Sequence, residues 1–105
     1  MSKEIVVLIT TPSLKEARTI GGKLVEEKLA ACANIIPQIM SLFHWQGKAL
    51  RKREFLMVIK TQTSCFDRLV KRVKSLHSYS VPEIIALPIV RGSKDYLRWI
   101  RQSTR

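Results

Sequence analysis

The sequence predicts an α+β fold: a ferredoxin-like βαββαβ sandwich with an extra C-terminal helix, in one domain spanning residues 1–105. Three observations lead there. Apolar periodicity alternates between strand and helix patterns in the order strand, helix, strand, strand, helix, strand, helix. Gln46-Gly47 reads as a turn between the two middle strands, which makes them a long hairpin. The stretch from Leu76 to Val90 joins a basic helix to the apolar run Ile84-Ile85-Ala86-Leu87, through a turn that carries His77, Tyr79, Pro82 and Glu83. At 105 residues the chain can build one real core and not two.

Each element has its own local reason. Ile5 to Thr10 reads as a buried strand that stops at Thr11-Pro12. Ser13 and Glu16 then stand at the spacing of a capping box. Ala17, Ile20, Gly21, Leu24 and Val25 share one helical face, with Gly21 and Gly22 allowing close approach to the sheet. Ala31 to Ile36 is a strand interrupted at Pro37; pairing resumes from Ile39 to Trp45 and returns from Lys48, most strongly over Phe55–Ile59. The hairpin is therefore expected to be bent, with a basic arm, Arg51-Lys52-Arg53, reaching past the sheet as a partner contact. Thr63 is expected to cap the second helix, whose buried stripe is Phe66, Leu69, Val70, Val73 and His77. The continuous apolar run after Pro82 suggests a strand covered on both faces, and Pro88 points to an edge position or a bulge. Ser93 caps a third helix in which Tyr96, Leu97 and Ile100 can pack.

Composition narrows the function classes. Apolar residues make up 46%, which excludes disorder, and no stretch approaches the ~20 apolar residues of a membrane-spanning helix. The start lacks the features of a secretory signal, and Cys32 and Cys65 fit no disulfide framework, so a cytoplasmic location with free thiols is expected. Nineteen Lys and Arg against eight Asp and Glu give a net charge of +11, which favours anionic partners. An RNA-recognition module would display aromatics on its first and third strands; the first has none and the third only Phe55. Nucleic-acid binding, if any, is therefore expected to be weak and non-specific. The loop Thr10-Thr11-Pro12-Ser13 lacks the glycines and arginine of an acylphosphatase-type anion loop, and no nucleophile–base or carboxylate pair marks an enzyme.

Four blocks carry a resemblance to a known family: Cys32-Ala33-Asn34-Ile35-Ile36-Pro37, Ser41-Leu42-Phe43-His44-Trp45-Gln46-Gly47-Lys48, Glu54 through Thr61, and His77-Ser78-Tyr79-Ser80-Val81-Pro82-Glu83-Ile84. They resemble the CutA divalent-cation tolerance family, as does the closing Tyr96-Leu97-Arg98-Trp99, and they cover nearly the whole chain in order. The resemblance implies a cytoplasmic homotrimer with PII-like architecture, serving tolerance of divalent metals such as copper. A PII-like sensor of a small anion or nucleotide is the alternative. Ser78 stands where the family usually has proline, which is expected to loosen that turn; Ser80 and Phe43 are further departures.

Site residues follow from the same blocks. Cys32, His77 and Glu83 are the candidate metal ligands, because thiolate and imidazole favour copper and zinc over magnesium and calcium. Each has a plainer reading: Cys32 as a small core residue, His77 as a helix cap, Glu83 as the salt-bridge partner of Lys60. His44 and Cys65 are the reserve ligands. Trp45, Lys48, Glu54, Lys60 and Tyr79 are candidates for a ligand site or a subunit junction. With no Cys-x-x-Cys or His-x-x-His pair, a preformed site within one chain is not expected, although one made between subunits escapes that test.

Overall fold

The computed structural model describes residues 2–105. The elements run β1 (Glu4–Thr11), α1 (Leu14–Glu26), β2 (Cys32–Trp45), β3 (Lys48–Gln62), α2 (Phe66–Leu76), β4 (Ile84–Pro88) and α3 (Lys94–Gln102). The strands form one antiparallel sheet in the order β2-β3-β1-β4, which is the ferredoxin-like arrangement. Both crossovers, β1-α1-β2 and β3-α2-β4, lay their helices against the sheet.

Period-two alternation assigns the core. Ile5, Val7 and Ile9 of β1 are buried beneath the helices with Met57 and Ile59 of β3, and Ala17, Ile20, Leu24, Leu69 and Val73 close over them. Gly21 lets α1 sit this close: a Cβ there would stand 3.3 Å from both the Ala33 Cβ and the Met57 Cε. Gly22 meets nothing, and Val25 is 44% exposed, so the packed stripe of α1 ends at Leu24.

The other face of the sheet is apolar too. Val6 and Leu8 of β1 stand beside Leu87 and Ile85 of β4, and Leu8 and Thr10 beside Val58 and Leu56 of β3, with Ile36 of β2 opposite Leu56. α3 meets this face only at its Glu4 and Gln62 end, and Ile85 and Leu87 are 50% and 49% exposed. β4 is thus an edge strand, as Pro88 indicated, but within one chain only its Ile84 side is covered. A continuous apolar run reports that a strand is buried somewhere, and the cover need not come from its own chain.

The hairpin outruns the rest of the sheet. β1 pairs with β3 only from Phe55 to Gln62, so Lys48–Glu54 pair with β2 alone and the molecule measures 43 × 25 × 23 Å. Its bend is a bulge between Ile36 and Ile39, where Pro37 donates nothing and Gln38 takes φ 56°. Gln46 and Gly47 at φ 51° and 78° close the tip, the doubly left-handed turn that a two-residue hairpin prefers.

Two capping expectations change. Thr63 does not cap α2; it opens a 3₁₀ turn, Thr63–Cys65, and its hydroxyl accepts from the Lys3 amide at 3.0 Å. On α3, Ser93 caps as expected and Ile100 is buried, but Tyr96 and Trp99 lie exposed and packed on each other, ring centroids 5.4 Å apart.

Lys28 ends α1 in the left-handed region at φ 61°, with its amide on the Val25 carbonyl at 3.1 Å and the Leu29 amide on Leu24 at 2.9 Å. A Cβ is strained there and glycine is not. Lys28→Gly should raise stability by roughly 0.5–1 kcal/mol, seen as a higher urea midpoint at unchanged slope.

Candidate functional site

His77 terminates α2, and its ring, 0% exposed, turns in towards the end of β1. Nε2 stands 2.8 Å from the Thr10 carbonyl oxygen, which can only accept, so the proton belongs on Nε2. Nδ1 then accepts from the Tyr79 amide at 3.0 Å. One imidazole ties strand, helix and turn together. It does not cap helix carbonyls, because the ring faces the sheet.

Glu16 joins this cluster, and the sequence reading missed it. Half of the capping box forms, with the Glu16 amide donating to Ser13 Oγ at 3.1 Å. The carboxylate instead accepts from both the Ser78 amide and the Ser78 hydroxyl, each at 3.1 Å, and lies 3.2 Å from His77 Nδ1. A proline at 78 could supply neither bond. Ser78 therefore fastens the turn rather than loosening it. Glu16 had only the capping spacing as a signal, and that signal pointed along its own helix.

Tyr79 connects the turn to β3. Its hydroxyl donates to Glu54 Oε2 at 2.7 Å, and the Lys52 ammonium rests 4.4 Å from its ring centroid. Glu54 is 6% exposed, and the phenol is its hydrogen-bond partner. Burial first, then the Glu54 bond and the charges of Glu54 and Glu16, hold the phenol well above the usual tyrosine range. Glu83 is exposed as a residue, yet partial burial of its carboxyl and the Glu54 charge push it above the usual carboxylate range. One cluster therefore holds Glu16, Lys52, Glu54, His77, Ser78, Tyr79 and Glu83, drawn from α1, β3, and the α2–β4 turn.

The remaining candidates fall elsewhere. Cys32 faces Lys60 across the β2–β3 ladder, and both bond the Asn34 side chain, the thiol donating to Oδ1 at 3.5 Å. Lys60 is thus paired with Asn34 and not with Glu83. The His77 ring sits at Thr10, whose β3 partner Leu56 is four residues from Lys60, roughly 13 Å along the strand. The expected ligand set of Cys32, His77 and Glu83 is accordingly not brought together within one chain. Among the described residues no group of three or more His, Cys, Asp or Glu is arranged to hold a metal ion. Trp45 and Lys48 pair at the arm tip, with His44 exposed beside them. Cys65 is buried, its thiol donating to the Arg105 carbonyl at 3.1 Å.

Tyr79→Phe leaves Glu54 without that donor and should cost roughly 1–3 kcal/mol at neutral pH. The raised phenol pKa means that this contribution is complete below the ordinary tyrosine value of ~10 and is lost as pH rises through the folded value. In denaturant titrations the parent's advantage over Tyr79→Phe should therefore shrink above about pH 10. A gap that stays constant to higher pH would show that the Tyr79–Glu54 bond does not carry this contribution.

Comparison with known proteins completes the site. The family model of the CutA1 divalent ion tolerance protein matches residues 5–103. The divalent-cation tolerance protein CutA of Thermus thermophilus is 54% identical over 101 residues, covering 96% of this chain and 98% of that one. Among solved structures, the Cut A1 protein of Thermus thermophilus superposes with a TM-score of 0.96 at 53% identity, over 97% and 99% of the two chains. The periplasmic divalent cation tolerance protein CutA of Archaeoglobus fulgidus superposes with a TM-score of 0.93 at 44% identity, again over 97% and 99%. The family match across nearly the whole chain and the shared fold agree: the chain belongs to the CutA1 divalent ion tolerance protein family.

Proposed function

We propose that this chain works as a non-catalytic, cytoplasmic homotrimer in divalent-cation tolerance, copper included, and that metal is engaged between subunits. The apolar outer face of the sheet carries this reading. Val6, Leu8, Ile36, Leu56, Val58, Ile85 and Leu87 share it by register, and the isolated chain leaves it half open. A half-exposed Leu or Ile forgoes on the order of 1 kcal/mol of burial, so covering such a face with copies of itself is strongly favoured. The self-paired hairpin arm, with Met40, Leu42, Phe43, Trp45 and Leu50 exposed, supports the same assembly. Two free thiols fit a reducing compartment, and no described helix is long and apolar enough to cross a membrane.

For copper, Cys32 is the ligand that fits. It is a partly exposed free thiol on the edge strand β2, whereas both nitrogens of His77 are taken by its own chain. A second reading, a PII-like sensor of a small anion or nucleotide, is favoured by the arm: Arg51, Lys52 and Arg53 lie in a stretch from Lys28 to Arg53 that holds no acidic residue.

Light scattering at micromolar concentration should give three times the 12.1 kDa chain mass, and a monomer would sink the assembly. In copper titrations of the verified trimer, Cys32→Ser should weaken binding at least tenfold while His77→Ala leaves it within twofold. Equal binding by Cys32→Ser and the parent would rule Cys32 out as a ligand.

A further inference from the structure

We propose that the outer face of the α1–α2 layer docks the sugar–phosphate backbone of duplex nucleic acid, without sequence preference. The charge of +11 leaves cations without acidic partners on this layer, although Glu16, Glu26, Glu27 and Asp67 lie on or just past its two helices. Glu4 pairs with Arg101, Glu27 with Arg72, Glu26 with Lys23 and Asp95 with Arg98. Glu16, Glu54 and Glu83 belong to the cluster around Tyr79. Of the eight acids only Asp67, in the first turn of α2, is left outside these pairs and that cluster.

Four cations on that face are exposed and pair with no acid of the described residues: Lys15 and Arg18 on α1 and Lys71 and Lys74 on α2. Arg68 is exposed as well, but its guanidinium is held by the Arg105 carbonyl. The helices run antiparallel: Glu27, just past α1, reaches Arg72, while Glu16 at the start of α1 reaches Ser78, just past α2. Lys15 and Arg18 therefore lie towards the Lys74 end. Lys71 and Lys74 stand three residues apart, ~4.5 Å along α2. Beside them an open cleft is lined by Glu27, Leu29, Arg68, Lys71, Arg72 and Ser75, at the end of the layer away from Lys15 and Arg18.

Charge complementarity selects a polyanion, and the neighbouring residues select its kind. Val25 is the large apolar side chain these helices leave exposed, so the face has little to insert into a lipid surface. It has no exposed aromatic for unpaired bases to stack on, since Phe66 packs against the core. Regularly spaced backbone phosphates suit point charges of this kind. The surface lies across the sheet from the apolar face, so it stays free when copies cover that face.

The test is anisotropy of a labelled 24-base-pair duplex between 50 and 200 mM NaCl. Four engaged cations predict a log–log salt slope near −3.6, a loss of about 10² in affinity over that range. Lys71→Glu with Lys74→Glu should lower affinity at 50 mM at least tenfold and make the slope shallower by about 2. Lys94→Glu with Arg98→Glu alters net charge equally on α3, which packs on β3 and β1, and should change affinity less than threefold. Unchanged thermal melting and elution confirm that each variant folds. Equal losses from the two pairs, no binding by the parent at 50 mM, selection of one duplex sequence, or stronger binding to vesicles with 30% anionic lipid would each overturn the proposal.

Discussion

β1 is apolar on both faces, and most of the structure answers that constraint. Ile5, Val7 and Ile9 point one way, Val6 and Leu8 the other, and β3 and β4 continue both patterns on either side. Two crossover helices cover only one face of a four-stranded sheet. An exposed aliphatic surface of this extent is a binding surface. The edge strand β4, the prolines at both its ends and the hairpin arm that leaves the sheet at the Ile36–Ile39 bulge are all placed around it.

The end of β1 supplies the second organising contact. Thr10 stands one residue from the end of a central strand, and its carbonyl accepts the His77 hydrogen bond that locks the α2 terminus onto the sheet. From there Glu16 holds Ser78, and Tyr79 reaches across to Glu54, so the turn entering β4 is fixed from three sides. Buried networks of this kind are stable only when every member is satisfied. Here the described side chains leave no buried nitrogen or oxygen without a partner. The position of β4 thus depends on side chains from α1 and β3 that are remote from it in sequence.

Legibility in the sequence followed the range of the interaction. The helix faces, the Gln46-Gly47 turn, the edge marker Pro88 and the Ser93 cap are local, and each was readable from spacing or backbone preference. Thr63 was not, because its hydroxyl is claimed by Lys3, sixty residues away. Glu16 and Ser78 were read as a cap and a loosened turn, since nothing nearby in sequence shows that they meet. Tyr79 and Glu54 were both singled out, but their bond needed the register of β3. Cys32, His77 and Glu83 were grouped by ligand chemistry; the sheet sets Cys32 at one end and the other two at the opposite end. Chemistry alone carries no distance.

The claim that joins these observations is that the second apolar face of the sheet is covered by copies of the same chain. Ile85 and Leu87 are its exposed margin, and neither belongs to the core beneath the helices. Sedimentation equilibrium of the double variant Ile85→Asp, Leu87→Asp tests the claim directly, with circular dichroism to confirm that the helices and sheet remain. The account predicts a folded monomer of about 12.1 kDa. A folded variant that sediments with the same mass as the parent assembly would contradict it.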